Sequence, residues 1–120
     1  MLKVYLSGPI SQGNRAENLR QADEAFMRLR ELGYAVLNPM WSARMPGAFD
    51  IPHARWIEND LAWVECADAV LRLPGESVGA EIECDHARRW GIPVYDSIAD
   101  LEDDCFGECE EPFDETDLPL

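Results

Sequence analysis

Short apolar runs alternate along this chain with stretches of helical spacing. Lys3–Ser7 (KVYLS) is β-branched and aromatic and runs into Gly8-Pro9, which predicts a strand followed by a sharp turn. From Asn18 to Leu32, the residues Leu19, Ala22, Phe26, Leu29 and Leu32 fall on one stripe, a helix that Gly33 ends. Tyr34–Leu37 (YAVL) predicts a second strand, stopped by Asn38-Pro39. His53–Cys66 reads as a second helix, Asp68–Leu73 as a third strand and Gly79–Trp90 as a third helix closed by Gly91. Ile92–Tyr95 follows as a fourth strand and Ile98–Asp104 as a short helix.

This alternation implies βαβ crossovers. The expected fold is α/β: a Rossmann-like, flavodoxin-like parallel sheet of four to five strands with helices on both faces. In such sheets ligands bind beyond the carboxyl ends of the strands, where the strand order reverses. That rule selects the Ser7–Asn14 loop, the Asn38–Pro52 loop and the Pro74–Gly79 turn before any chemistry is considered. The Asn38–Pro52 loop holds Met40, Trp41, Met45 and Phe49, too apolar for a solvated linker. A lid or pocket wall is expected there.

Polar residues break the pattern at two places. In the third helix, with Ala87 and Trp90 on the core stripe, stepping back reaches Glu83 and then Gly79. Glu83 thus lies on the apolar face, one turn inside a helix that points at the ligand crevice. In the second helix the stripe is Trp56, Ile57, Val64 and Ala67, and Asp60 falls within it. Two inward carboxylates on neighbouring helices suggest paired roles, one nucleophilic and one in proton transfer. A structural role remains open for each: an ion pair for Glu83, with Arg72 as one partner, and backbone N–H groups for Asp60. Ser77 precedes the third helix, where its hydroxyl can cap N–H groups or, in the same geometry, an anion can bind. Tyr5 and Ser7 alternate to one side of the first strand, and Gly8 permits close approach of a ligand to the backbone.

Composition changes the picture in one respect. The 120 residues carry 24 Asp+Glu and 10 Lys+Arg, a net charge of −14. Ten of the acids and none of the bases lie in residues 100–120, so residues 1–99 hold 14 acids and 10 bases, a net of −4. The chain is therefore expected to be one domain (1–99) with an acidic, partly disordered tail (100–120). Net negative charge argues against a polymeric nucleic acid or an anionic membrane as partner. No run approaches the roughly 18 apolar residues of a membrane span, and the N-terminus lacks a signal-peptide pattern. Cys66 and Cys84 lie in helical patterns where reduced, buried thiols are expected, which fits a cytoplasmic setting. Cys105 and Cys109 form a lone C-x3-C pair in the tail, and His53 and His86 lack metal-ligand spacing, so no metal site is expected. Neither a G-x-G-x-x-G fingerprint nor a P-loop is present.

Four segments in order carry a resemblance: Val4-Tyr5-Leu6-Ser7-Gly8-Pro9-Ile10, Asn59-Asp60-Leu61-Ala62-Trp63, Ala67-Asp68-Ala69-Val70, and Ser77-Val78-Gly79 with Glu83 and Ala87 following. Together they resemble the nucleoside 2-deoxyribosyltransferase-like superfamily, over residues 2–96. That group includes deoxyribosyltransferases and 2'-deoxynucleoside 5'-monophosphate N-glycosidases. The resemblance implies N-glycosidic bond cleavage or transfer on a nucleoside or nucleoside 5'-monophosphate, with no cofactor and a homo-oligomeric assembly. It implies Glu83 as nucleophile, Asp60 as the group assisting departure of the base, and Tyr5 beside sugar and nucleophile. It assigns substrate contacts to Ser7, Gly8, Pro9, Ile10, Ser77 and Gly79, with Ser77 at a 5'-phosphate where one is bound. Pro9 stands where monophosphate-cleaving relatives often have a serine. The alternative is a non-catalytic nucleotide-binding sensor of the same fold.

Overall fold

The computed structural model describes residues 1–105. Four parallel strands form one sheet: β1 (Lys3–Ser7), β2 (Ala35–Leu37), β3 (Ala69–Arg72) and β4 (Val94–Tyr95), in the order β2-β1-β3-β4. Tyr5 stands opposite Leu37 on one side and Val70 on the other, and Ser7 opposite Arg72. The helices are α1 (Arg15–Glu31), α2 (His53–Val64), α3 (Val78–Arg89) and α4 (Ile98–Cys105). The expected α/β sheet is thus present, with four strands.

Side chains on a strand alternate between faces, and the two faces of this sheet have separate cores. Val4, Leu6, Ala69 and Leu71 pack with Ala22, Ala25 and Leu29 of α1 and Leu101 and Cys105 of α4. Tyr5 and Val70 pack on the opposite face with Val64, at the end of α2, and Cys84 and Ala87 of α3. The strand order reverses between β1 and β3, whose carboxyl ends are the switch point where α/β sheets bind ligands.

Several boundaries move for local reasons. Helix α1 begins at Arg15, three residues before the expected start at Asn18, because the Asn14 side chain accepts from the Glu17 N–H at 3.0 Å. Its first turn is polar, so hydrophobic spacing does not reveal it. Helix α3 begins at Val78, where the Ser77 hydroxyl caps the Ala80 N–H at 3.1 Å. Trp90 does not join the core stripe: it lies past the end of α3, is 57% exposed and sits beside His86. The buried face of α3 is instead Ala80, Glu83, Cys84 and Ala87. Helix α2 stops at Val64, which leaves the Cys66 thiol exposed rather than buried, donating weakly to the Ala62 carbonyl at 3.6 Å. Cys84 is buried as expected, Cys105 is buried at the end of α4, and Cys109 lies outside the described residues. No helix among the described residues is long and apolar enough to cross a membrane.

Candidate active site

A cavity of about 340 Å³ opens at the carboxyl ends of β1 and β3. All three segments selected from topology line it, through Gly8, Ile10, Ser11 and Gln12, through residues between Pro39 and Ile51, and through Ser77, Val78 and Gly79. Helices α2 and α3 close the remaining walls with His53, Trp56, Ile57, Asp60, Ala80 and Glu83.

The segment after β2 is a fixed wall. It folds as two 3-10 turns, Pro39–Arg44 and Ala48–Asp50. Buried Asn38 starts the first by accepting from the Met40 N–H at 3.1 Å. Five contacts tie the wall to the body. Trp56 Nε1 donates to the Ala48 carbonyl at 2.8 Å, and Arg44 pairs with Asp23 at 2.7 Å. Phe26 meets Trp41 edge-on at 4.6 Å, and Arg15 lies 4.1 Å over the Phe49 ring while donating to the Ala43 carbonyl. Met40 and Phe49 line the cavity, whereas Trp41 and Met45 do not.

Glu83 is only 5% exposed, yet it forms part of the cavity wall. The small residues Ala80, Cys84 and Ala87 let α3 lie close to the sheet, within reach of β1. The Tyr5 hydroxyl donates to Glu83 Oε2 at 2.6 Å and the Ser7 hydroxyl to Oε1 at 2.8 Å. Both donors are buried behind the carboxylate rather than on the cavity surface. The remaining lone pairs of the carboxylate face the cavity side, where Asp60 is a hydrogen-bonding neighbour. Arg72 does not neutralise Glu83: it donates to the Leu73 and Gly75 carbonyls and pairs loosely with Glu81.

Burial pushes the Glu83 carboxyl up to about 7, against the two hydroxyl donors that favour its charged form, and the nearby Asp60 charge raises it further. Burial also raises Asp60, whose charged form is favoured by the Asn59 amide, the Glu83 carboxyl and His53. The two acids titrate as a coupled pair that keeps a proton toward neutrality. Burial, then the charge of Glu83, drives the Tyr5 hydroxyl far above its ordinary range, so it remains a proton-bearing donor.

Ile10, Ser77 and Gly79 line the cavity, and Ser77 caps α3. Gly8 lines it too, but its close approach is to protein: a Cβ there would stand 2.9 Å from Leu73 Cβ and 3.1 Å from Met40 Cε. Pro9 is fully buried, packed under Gly75, and is not on the cavity surface. The cavity is also lined by Gln12, His53, Trp56 and Ile57, which the sequence pattern does not mark as site residues. Trp56 and Ile57 carry the signal of a core stripe, and their cavity role follows only from where α2 sits. No cluster of three or more His, Cys, Asp or Glu side chains suited to a metal occurs among the described residues.

Solved structures of two enzymes share this architecture. A 2-deoxyribosyltransferase from Bacillus psychrosaccharolyticus is 24% identical, with a TM-score of 0.62 over 98% of this chain and 96% of its own. The CMP N-glycosidase BcmB from Clostridium botulinum is 18% identical, with a TM-score of 0.55 over 77% of this chain and 67% of its own. The fold is therefore the one expected from the deoxyribosyltransferase-like resemblance. No curated protein sequence matches the chain. Residues 2–96 match the family model described as a domain of unknown function (DUF4406), and the chain belongs to that family.

Proposed function

We propose that this protein breaks the N-glycosidic bond of a nucleoside or nucleoside 5'-monophosphate, by hydrolysis or by transfer to a second base, with Glu83 as nucleophile. One observation carries the reading: a buried carboxylate faces the cavity, with both oxygens held from behind by the Tyr5 and Ser7 hydroxyls. The likeness to the two enzymes above supports N-glycosyl chemistry in general.

At rest the proton of the singly protonated pair lies on Glu83; the productive state is the tautomer in which it has passed to Asp60, leaving the Glu83 charge met by the two hydroxyls. A Glu83 oxygen bonds to the anomeric carbon as the bond from that carbon to the base nitrogen breaks. Asp60 gives its proton to the departing base. The resulting glycosyl ester is opened by water, or by a nitrogen of a second base, attacking the same carbon. Asp60 takes the proton released from that attacker, Glu83 leaves as carboxylate, and the anomeric configuration is retained. Tyr5 and Ser7 act as positioning residues, fixing the carboxylate in line with the sugar.

The test is a panel of nucleosides and 5'-monophosphates, with and without an acceptor base, followed by separation of free bases and exchanged nucleosides. The wild-type protein is expected to release or exchange base, and Glu83→Gln to lose that activity. Release that persists in Glu83→Gln removes Glu83 as nucleophile. Binding without turnover of any member indicates a nucleotide-binding sensor of the same fold.

A further inference from the structure

We propose that Gln12 sets what the cavity accepts at the 5' end of the substrate: it occupies the N-terminus of α3, so the site takes a nucleoside with a free 5'-hydroxyl and rejects the 5'-monophosphate. This deepens the reading above and rests on it.

An α-helix whose first N–H groups face a cavity is a ready anion site. Helix α3 has that placement, since Ser77, Val78 and Gly79 all line the cavity. Two of its first three N–H groups are already taken. The Val78 N–H donates to Gln12 Oε1 at 2.9 Å, and the Ala80 N–H to the Ser77 hydroxyl at 3.1 Å. A phosphate on these amides would have to displace both side chains. The contact also fixes the orientation of the glutamine amide, because an N–H requires the carbonyl end. Nε2, with two donors, is left for an uncharged oxygen.

The loop holds Gln12 in this position. Asn18 Nδ2 brackets it by donating to the Ile10 carbonyl at 3.1 Å and the Gln12 carbonyl at 2.7 Å. Gly13 then turns the chain at φ +77°, and Asn14 caps α1. Gln12 is therefore tied at both its backbone and its side chain.

Charge acts in the same direction. Among the described residues, no lysine or arginine lines the cavity, whereas Glu83 and Asp60 do. The basic side chain on the wall, His53, exerts its field on Asp60. Arg15 is engaged with Phe49 and the Ala43 carbonyl, and Arg72 with the Leu73 and Gly75 carbonyls. A phosphate dianion would enter a cavity bearing acids and no fixed counter-charge. A hydroxyl meets no such penalty.

The experiment compares the wild type with Gln12→Ala and Gln12→Glu, all as full chains. Gln12 is exposed, so neither change empties a core. In turnover, wild-type kcat/KM for a 2'-deoxynucleoside should exceed that for its 5'-monophosphate by roughly tenfold or more. Gln12→Ala should narrow that ratio by a similar factor, and Gln12→Glu should keep the nucleoside preference. A wild type that prefers the monophosphate, or a ratio unmoved by Gln12→Ala, overturns the proposal. A second arm is independent of turnover: inorganic phosphate is titrated while the backbone amide resonances of Val78 and Gly79 are followed. At millimolar phosphate they should stay fixed in the wild type and shift in Gln12→Ala. Shifts in the wild type, or none in Gln12→Ala, contradict the proposal. If no substrate of either kind loses its base, the N-glycosidic reading fails while the phosphate titration still decides the role of Gln12.

Discussion

Replacing Glu83 by glutamine should stabilise the protein progressively as pH rises above about 4.5, and in full above about 7. In the folded state this carboxyl keeps its proton up to about 7, against 4.5 for an ordinary glutamate, chiefly because it is buried. The unfolded chain ionises first. The wild type therefore loses stability as pH rises between about 4.5 and 7, and the loss is constant above that window. Holding a proton across that interval corresponds to about 3 kcal/mol. Glutamine keeps the shape and can still pair with the Tyr5 and Ser7 hydroxyls, one donating to its carbonyl oxygen and the other rotating to accept from its NH2, but it has no charge to bury. For a domain of this size, about 3 kcal/mol is a melting-temperature change on the order of 10 °C. The assay is thermal unfolding of both proteins at pH 5 and pH 8. The packing cost of the substitution is common to both pH values, so the quantity to read is the change in the difference between the two proteins. That difference should move by roughly 2–3 kcal/mol in favour of Glu83→Gln between pH 5 and pH 8. A difference that does not change with pH would mean that Glu83 is ionised in the folded protein throughout, and the coupled-pair argument would fail.

Activity should peak on the acid side of neutrality and fall above about 7, where the Glu83–Asp60 pair loses its last proton; a pH–rate profile flat through 8 would contradict this. Tyr5→Phe removes the 2.6 Å donor to Glu83, which should lower stability by roughly 1.5–3 kcal/mol and move the alkaline limb of the rate profile upward, since the charged carboxylate loses a partner. Loss of stability without movement of that limb would leave Tyr5 a packing residue only. Asp60→Asn should cut kcat/KM by roughly 10²–10⁴ for bases that leave only when protonated, and by much less for an activated leaving group; equal losses on both would remove Asp60 as proton donor. Gly8→Ala places a methyl 2.9 Å from Leu73 Cβ and should cost about 1–3 kcal/mol in denaturant unfolding, with no change expected only if β1 and the end of β3 are packed more loosely than described.

Much of this architecture is legible in the sequence because two periodicities alternate cleanly. KVYLS and AVLR are strands between helices whose apolar stripes repeat every three to four residues, so the parallel sheet follows from crossover rules. Glu83 and Asp60 stand out for the same reason: acids placed where the stripe calls for apolar residues. Helix starts are less visible, because the caps Asn14 and Ser77 act through single side-chain bonds to the backbone. Trp90 misleads, since a large aromatic two residues from the end of a turn reads as core, while the helix stops at Arg89 and leaves it in solvent. The cavity wall after β2 is suggested by its apolar content, but its shape comes from partners distant in sequence, such as Asp23 for Arg44 and Phe26 for Trp41. Gln12 is silent in the sequence for a related reason. Its partner, Val78, is 66 residues away, and nothing local marks a polar loop residue as a cap for another helix.

The most direct test of the account is covalent. The full-length protein, mixed with a panel of 2'-deoxynucleosides and their 5'-monophosphates, is quenched in acid during turnover and mapped by peptide mass spectrometry. The account requires a deoxyribosyl adduct on the peptide containing Glu83, formed with release of free base and absent from Glu83→Gln. Base release with no adduct on that peptide, undiminished in Glu83→Gln, would contradict it.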